Sequence, residues 1–439
     1  MDWILFFLAD VLFFLEEAND WFFSKEIDHL IRIFWVFLFL EIPRYFMTDL
    51  FVLAHAIRDN YLKTYHPARF KRFEKPPRIS VIMAALNEEL LIADTIKTLL
   101  AQNYPELEVI VIDDASTDNT GKICQEFATH HDIRYFRFQQ RQGKSAALNY
   151  GINVSSGQYL MFIDSDTSFD RLAILNIVQS FQDKDVGAVS GNFRIRNYNA
   201  SILTRFVAIE YFLSMSMGWR FKGLTGIINC VPGWFGIYRR DVIEATGLYE
   251  PGPGNDSDIT IRTRKLKQKI VFSADAISLT DSPIYFTDWV KQRMRWSRNL
   301  VKNRLRKHRD VFNIRHENFS FSNLWAFADN IFFLMLMPIA WVIYIIDVYI
   351  HFTDVIFLIL LVNLFLHLIL RLAQFSIAVT LSERKEQAFE LLPYLFFYGI
   401  YMMVYKIVRV VAYLQELLFR ASYQDNFAPE KIRKKMIRY

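Results

Sequence analysis

The sequence predicts an α/β domain, a parallel sheet with helices on both faces, set between apolar helical segments at its two ends. Three observations predict this. Between residues 79 and about 310, apolar runs of strand length alternate with amphipathic helical stretches. Outside that region apolar residues concentrate, in a chain of 439 residues that is 53% hydrophobic and 16% aromatic, with 41 Phe. That is rich for a soluble protein. Carboxylates also fall where strand-like runs stop, most plainly in "YLMFIDSD" (159–166), which ends in Asp164 and Asp166.

The elements follow in chain order. Residues 1–57 are expected to form membrane or interfacial helices. The N-terminus shows no basic leader of the signal-peptide kind. The segment 2–15, "DWILFFLADVLFFL", is short for a span and contains Asp10, so an interfacial helix and a short crossing both stand. Residues 31–56 are long enough to cross, and Glu41 and Arg44, three apart, are placed to pair within that helix. Residues 1–28 are acidic with Lys25 as their one base, whereas 57–78 carry seven Lys/Arg against two acids. The positive-inside rule therefore puts the basic linker 58–78, and the domain after it, in the cytoplasm.

Strand-like runs then appear at "ISVIMAAL", "LEVIVIDD", "IRYFRFQ", "YLMFIDSD" and "VGAVSG", with helical stretches such as 88–101 and 118–129 between the first four. Ligands of such sheets sit beyond the carboxyl ends of the strands. "DD" (113–114) and "DSD" (164–166) fall there. Beyond 311 the apolar character returns: 331–349 and 354–381 read as crossings joined by "IHFTD". A third over 388–405 competes with Lys406, Arg409 and the basic tail 421–439, which favour the cytoplasm. The domain plan is thus 1–57, 58–78, 79–310, 311–420 and 421–439.

Composition excludes some classes of function. A net charge of +5 points to no nucleic-acid partner, and two distant cysteines, Cys124 and Cys230, exclude a disulfide framework.

Four clusters carry candidate chemistry. Asp114 follows the second strand, beside Asp113, which reads as a turn or capping group. The i, i+2 spacing of Asp164 and Asp166 turns both carboxylates to one face, where such a pair holds a hard divalent cation shared with substrate phosphates. Asp256, in "GNDSD", is placed to act as a base on the far side of a sugar from its leaving group. Asp258 reads as a loop hydrogen-bonding group. Gln292, Arg295 and Trp296, at i, i+3 and i+4 in "WVKQRMRWSRN", share one face of a basic helix.

These motifs, in this order and flanked by apolar helices, resemble the processive membrane-embedded inverting glycosyltransferases of family 2. That family includes the cellulose, chitin, hyaluronan and poly-N-acetylglucosamine synthases. Its pattern of D, DxD, (E/D)D and QxxRW reads here as Asp114, Asp164-Ser-Asp166, Asn255-Asp256 and Gln292-Arg-Met-Arg295-Trp296, supported by "ALNEE" (85–89), "DDASTDNT" (113–120) and "QGKSAALNYG" (142–151). Asn255 departs from the family's usual acid.

The resemblance implies the GT-A fold, a Rossmann-like parallel sheet, over 79–310. It implies that Asn87, Glu88 and Asp114 contact the uridine, that Lys144 lies near the nucleotide, and that Asp164 and Asp166 bind diphosphate and metal (Mg²⁺ or Mn²⁺), Asp166 directly. It makes Asp256 the catalytic base. Gln292 and Arg295 would hold the diphosphate and Trp296 stack the acceptor sugar. The implied partners are a UDP-sugar, best UDP-N-acetylglucosamine, a growing polysaccharide and the lipid bilayer of the inner or plasma membrane.

No domain follows the last helix, so control is expected from another chain, an accessory membrane subunit. Competing readings are a hyaluronan- or β-glucan-type synthase, a non-processive transferase adding one sugar to a lipid, and a transporter that only senses nucleotide. The basic run Arg298, Lys302, Arg304, Arg306, Lys307 and Arg309 reads as a face meeting anionic headgroups. His367 and Arg371, one turn apart in an apolar span, read equally as channel lining or as a structural ion pair.

Overall fold

The computed structural model describes residues 26–65, 73, 75–317, 319–382, 384–424, 429–434 and 436–439, with Asp20 and Ser24. The expected segment 2–15 lies outside them, as does most of the linker's basic stretch 66–72.

An eight-stranded sheet forms the centre, in the order β3-β2-β1-β4-β7-β6-β8-β5. Strands β1 (Ile79–Ala85), β2 (Leu107–Asp113), β3 (Ile133–Arg137) and β4 (Tyr159–Asp164) are four of the five runs whose residues predicted strands, the fifth opening β6, and these four pair in parallel. The crossovers are α3 (Ile92–Leu100), α4 (Thr120–His130) and α5 (Lys144–Val154), numbered after the N-terminal helices α1 (Ile27–Val36) and α2 (Ile42–Tyr65). Apolar residues cover both faces of the sheet. Val81, Val109, Met161 and Ile237 join the core beneath α3, while Ile82, Ile110, Leu160 and Tyr238 join the one beneath α5.

The sheet is mixed rather than wholly parallel. Strand β7 (Gly236–Arg239) runs antiparallel between β4 and β6 (Val186–Ile195). β8 (Lys269–Thr280) lies parallel to β6, and the two-residue β5 (Ser168–Phe169) closes the edge antiparallel to β8. Neither antiparallel strand is joined to its partners by a tight turn, and both are very short, so strand–helix alternation along the chain carries no trace of them. Helices α6 (Ala173–Val178), α7 (Ile202–Leu213), α8 (Asn255–Lys265) and α9 (Phe286–Val301) complete the domain.

Beyond it come α10 (Phe321–Asn330), α11 (Met337–His351), α12 (Ile356–Thr380) and α13 (Leu395–Phe419). Three continuous helical stretches among the described residues are long and apolar enough to cross a membrane: Phe321–His351, Thr353–Thr380 and Lys385–Phe419. The third includes the expected 388–405 despite its bases. Lys406 Nζ is satisfied inside the bundle by Glu41 (2.8 Å), and Arg409 lies over the Tyr405 ring at 4.1 Å. The expected crossing over 31–56 is helical, in α1, a π turn (Phe37–Glu41) and α2, but it is not among the three.

The expected Glu41–Arg44 pair does not form. Glu41 is buried and meets His367 and Lys406 from α12 and α13, while Arg44 covers the Phe333 ring at 4.3 Å. A carboxylate inside a bundle takes the cations that neighbouring helices bring. Arg371 likewise donates to Tyr45 Oη (2.6 Å) and Gln374 Oε1 (2.8 Å), so with His367 it belongs to a polar network tying α12 to the N-terminal helices.

Candidate active site

The register of the parallel half sets the carboxylates side by side. Ala85 at the end of β1 is flanked by Asp113 of β2, and Ala84 by Asp164 of β4. Asp113 is fully buried and accepts from Ser116 N–H (2.7 Å) and Tyr135 Oη (3.0 Å), with Arg137 Nε at 3.4 Å. It shapes the turn and does not face a ligand.

Asp114 accepts the backbone N–H groups of Gln142 (2.6 Å) and Gly143 (2.8 Å), which locks the loop before α5 against the β2 end. Burial raises its pKa against those bonds. Asn87 adopts a left-handed backbone (φ 57°), and its side chain accepts from Thr117 N–H at 2.8 Å, pinning the β1 loop to the β2 loop. Asn87, Glu88 and Asp114 thus share one rim.

The carboxylates crowd. Burial, then Asp166, Asp164 and Asp118, push Glu88 up to about 7. Burial and then Asp164 push Asp166 up to about 6. Lys144, on the first turn of α5, answers them with an ion pair to Asp164. Burial draws its ammonium down, but Asp164, Asp256 and Asp166 outweigh that and hold it above its usual value.

Acids this close with one base among them have the chemistry of a hard-cation site. Among the described residues no group of three or more His, Cys, Asp or Glu is arranged to enclose a metal alone. Asp164 and Asp166 offer the carboxylate oxygens that a hard ion takes when it also keeps water and binds substrate oxygens.

Asp256 stands across Lys144 from the strand end. It is the second residue of α8, which begins at Asn255 after Gly254, whose left-handed backbone (φ 80°) is open to glycine at little cost. Its Oδ2 accepts a long bond from Gly233 N–H (3.4 Å). A Cβ on Gly233 would lie 3.3 Å from Lys144 Nζ and 3.6 Å from Asp256 Oδ2, so the glycine keeps the space between that carboxylate and the ammonium open. Asn255 turns its amide to Ser145 Oγ (3.2 Å), tying the base loop to α5 where the usual acid would add charge.

The basic run after α9 is not a membrane face. Lys302 and Arg304 are buried. Lys302 Nζ donates to Pro253 O (2.6 Å), Asn303 Nδ2 to Gly254 O (2.9 Å) and Arg304 Nη2 to Asn229 O (2.7 Å). Lys307 Nζ pairs with Asp258 and Glu250 at 2.6 Å, and Arg306 Nη1 with Glu416 at 2.6 Å. Lys302, Asn303 and Lys307 thus hold the loop that leads into Asp256, while Arg304 and Arg306 tie the segment to Asn229 and to α13. Asp258 is therefore part of a buried ionic cluster with Arg262, Lys307 and His308, which together depress its pKa against burial.

Gln292, Arg295 and Trp296 are half-buried on α9. Trp296 approaches Trp234, the residue after Gly233, at 6.2 Å between ring centroids. Trp234 therefore links the candidate base to the tryptophan of the helix. Between Gln292 and Arg295, the buried Arg293 pairs with Glu210 (2.9 Å) and lies over Trp296 at 4.8 Å. Sequence reasoning passed over Gly233, Trp234 and Arg293. The "VPGW" turn before a short strand was the available signal for the first two.

Residues 80–247 match the family described as glycosyl transferase family 2. The chain carries a family 2 glycosyl transferase domain. A poly-beta-1,6-N-acetyl-D-glucosamine synthase of Staphylococcus epidermidis is 33% identical over 221 residues, which are 50% of this chain and 53% of that protein. A probable glycosyltransferase, YdaM, of Bacillus subtilis is 35% identical over 232 residues, 51% of this chain and 55% of that one. The chain thus spans about half the length of these curated relatives.

Among solved structures, the mannosyltransferase PcManGT from Pyrobaculum calidifontis, in complex with GDP-Man and Mn²⁺, aligns at a TM-score of 0.50 and 21% identity. It covers 85% of this chain and 98% of that one, a likeness of fold alone. The expected GT-A fold accordingly stands, with the antiparallel β7 as its correction.

Proposed function

We propose that the chain is a processive inverting glycosyltransferase. It takes UDP-N-acetylglucosamine with Mg²⁺ or Mn²⁺ and lengthens a β-linked polysaccharide at the cytosolic face of the plasma membrane. One observation carries this reading. Lys144 pairs with the strand-end Asp164 and interacts with both Asp166 and Asp256, Gly233 lies beside Lys144 and Asp256, and Trp234 leads from there to Trp296. That order, diphosphate side, gap, base, aromatic platform, is what an in-line attack by a sugar hydroxyl requires. The poly-N-acetylglucosamine synthase among the relatives supports the choice of sugar.

In this reading Asn87, Glu88 and Asp114 receive the uridine. Asp166, with Asp164, would hold the cation. When bound, it offsets the negative charge gathering on the departing diphosphate. Lys144, Gln292 and Arg295 hold the diphosphate oxygens, Trp296 stacks the acceptor ring, and Asp256 Oδ2 takes the proton of the attacking hydroxyl. The apolar helices receive the polymer, and any accessory subunit would join them there.

The test is incorporation of labelled UDP-sugars, singly and in pairs, by the purified full chain in bilayer discs. Polymer from UDP-N-acetylglucosamine alone is expected. A site that hydrogen-bonds the acetamido group leaves those partners unpaired with UDP-glucose and rejects it. Polymer from UDP-glucose alone would replace this reading with a β-glucan synthase. A requirement for UDP-glucuronate would indicate a hyaluronan-type product, and a single sugar on a lipid would remove processivity.

A further inference from the structure

Arg194, near the end of β6 in "GNFRIRN", carries a buried charge that the catalytic reading does not use. Its Nη1 donates to Asn192 Oδ1 (2.8 Å) and to Phe193 O (3.2 Å), and its guanidinium lies over the Phe212 ring at 5.4 Å. These are neutral partners. The charged groups that bear on it are Arg220 and Arg384, which with burial lower its pKa to about 10. A buried cation among cations is costly unless a counter-charge arrives.

The surroundings show where it would arrive. A narrow cleft lies between β6, α7, the loop that ends at Arg384 and the first turns of the third candidate span. Arg194, Arg384 and Gln387 give it a polar end, and Phe212, Ala388 and Leu391 an apolar one. The loop and the helix start after it are seated on the domain: Arg384 pairs with Asp170, Gln387 Nε2 donates to Ile195 O (3.3 Å), and Arg220 Nη2 to Leu381 O (3.3 Å). Because that loop separates two candidate spans, the cleft opens at the level of a membrane surface. Arg384 is 37% exposed and on a long stem, so it can turn from Asp170 toward the cleft.

We propose that this cleft is an anion site that seats a phosphate group between Arg194 and Arg384. The group comes either from the headgroup of an anionic lipid or from free phosphate. Two planar guanidinium forks match phosphate geometry, and bonds to a charged acceptor are the stronger kind. The apolar end suits the glycerol and acyl start of a lipid. Seating the anion takes Arg384 from Asp170, so the two acceptors compete.

The experiment uses the purified full chain stripped of lipid in a neutral detergent. Thermal unfolding and native mass spectrometry then follow additions of phosphatidylglycerol, phosphatidylcholine, or inorganic phosphate alone. Wild type should prefer phosphatidylglycerol over phosphatidylcholine or respond to phosphate. Arg194→Met and Arg384→Gln should weaken that binding by about tenfold or more, and Asp170→Asn should tighten it. A response to lipid without one to phosphate identifies the headgroup, and a response to phosphate alone identifies the free anion. Should Arg194→Met fail to fold, Arg384→Gln, altered on a part-exposed loop residue, carries the same comparison. Equal binding in wild type and variants, or no response in wild type, would overturn the proposal.

Discussion

Replacing Asp256 with Asn separates chemistry from architecture, because the structure lets both effects be sized. The carboxylate receives a single long bond, 3.4 Å from Gly233 N–H, and an Asn carbonyl can accept it. The Asp256 backbone carbonyl still accepts from Thr260 Oγ1 (2.6 Å). What the folded state loses is a negative charge in the first turn of α8, worth roughly 0.3–1 kcal/mol. What transfer loses is its proton acceptor, a deficit of about 10²–10⁴-fold, or roughly 3–5 kcal/mol of barrier.

The assay pairs sugar incorporation with UDP binding by calorimetry and with thermal unfolding, all on the same preparation. Transfer should fall by that factor while UDP affinity stays within about threefold, roughly 0.7 kcal/mol, and the midpoint barely moves. Turnover within tenfold of wild type would refute the assignment of the base. Loss of UDP affinity in step with turnover would show that Asp256 serves the donor pocket through Lys144.

Asp166→Asn should raise the Mn²⁺ concentration needed for half-maximal transfer, and excess chelator should abolish transfer by wild type; full activity in chelator would reduce the acidic pair to a turn. Trp296→Ala should depress polymer formation far more than slow donor hydrolysis, measured as UDP release without acceptor, whereas equal losses would place α9 in donor binding. Gly191→Ala should lower the unfolding midpoint, because its Cβ would sit 1.9 Å from Cδ1 of the buried Phe235, an overpacking cost of about 1–3 kcal/mol or more.

Glu108 supplies a pH test. Burial raises its pKa, but the Ser80 hydroxyl, Ser156 and Arg134 outweigh it and hold the carboxyl at about 2. The folded value lies below the unfolded one, so the stabilisation is present above about 4.5 and is lost as pH falls toward about 2. Glu108→Gln should be less stable than wild type at pH 7, with the gap closing over that window in denaturant titrations.

The half of the sheet that was legible in the sequence is the half whose strands are long, apolar and separated by helices. Strands β1, β2 and β4 announce themselves because each must bury both faces, and β3, at the edge, because it alternates with the helices. Strand β7 does not. Its four residues, "GIYR", bury through pairing with β4 and β6, and that pairing is decided by contacts distant in sequence. The same distinction runs through the site. The strand-end places of Asp114, Asp164 and Asp166 were legible because strand ends fix them, whereas Asp256 was singled out by the order of the motifs and by the need for a base apart from the acids, a role that the proposed function carries.

Lys302 and Arg304 misled, since a run of bases reads as a solvated face whenever its acceptors are backbone carbonyls contributed by other loops. Arg293 hid between the residues of its own motif. Its part depends on Glu210, eighty-three residues earlier.

The hold of α13 on α9 has a practical side. Trp289 Nε1 donates to Tyr401 Oη (3.2 Å), and Arg293 reaches Tyr405 Oη (3.4 Å) as well as Glu210. The helix bearing Trp296 is thereby referenced to the membrane bundle, whereas Asp164 and Asp166 are referenced to the sheet. Catalytic groups need alignment within about 0.5 Å, so a small tilt of α13 misaligns the two frames while leaving the nucleotide pocket intact. Under the proposed function, bilayer thickness and choice of detergent are therefore kinetic variables. A preparation that binds UDP normally and turns over poorly is to be moved to another lipid before it is judged inactive.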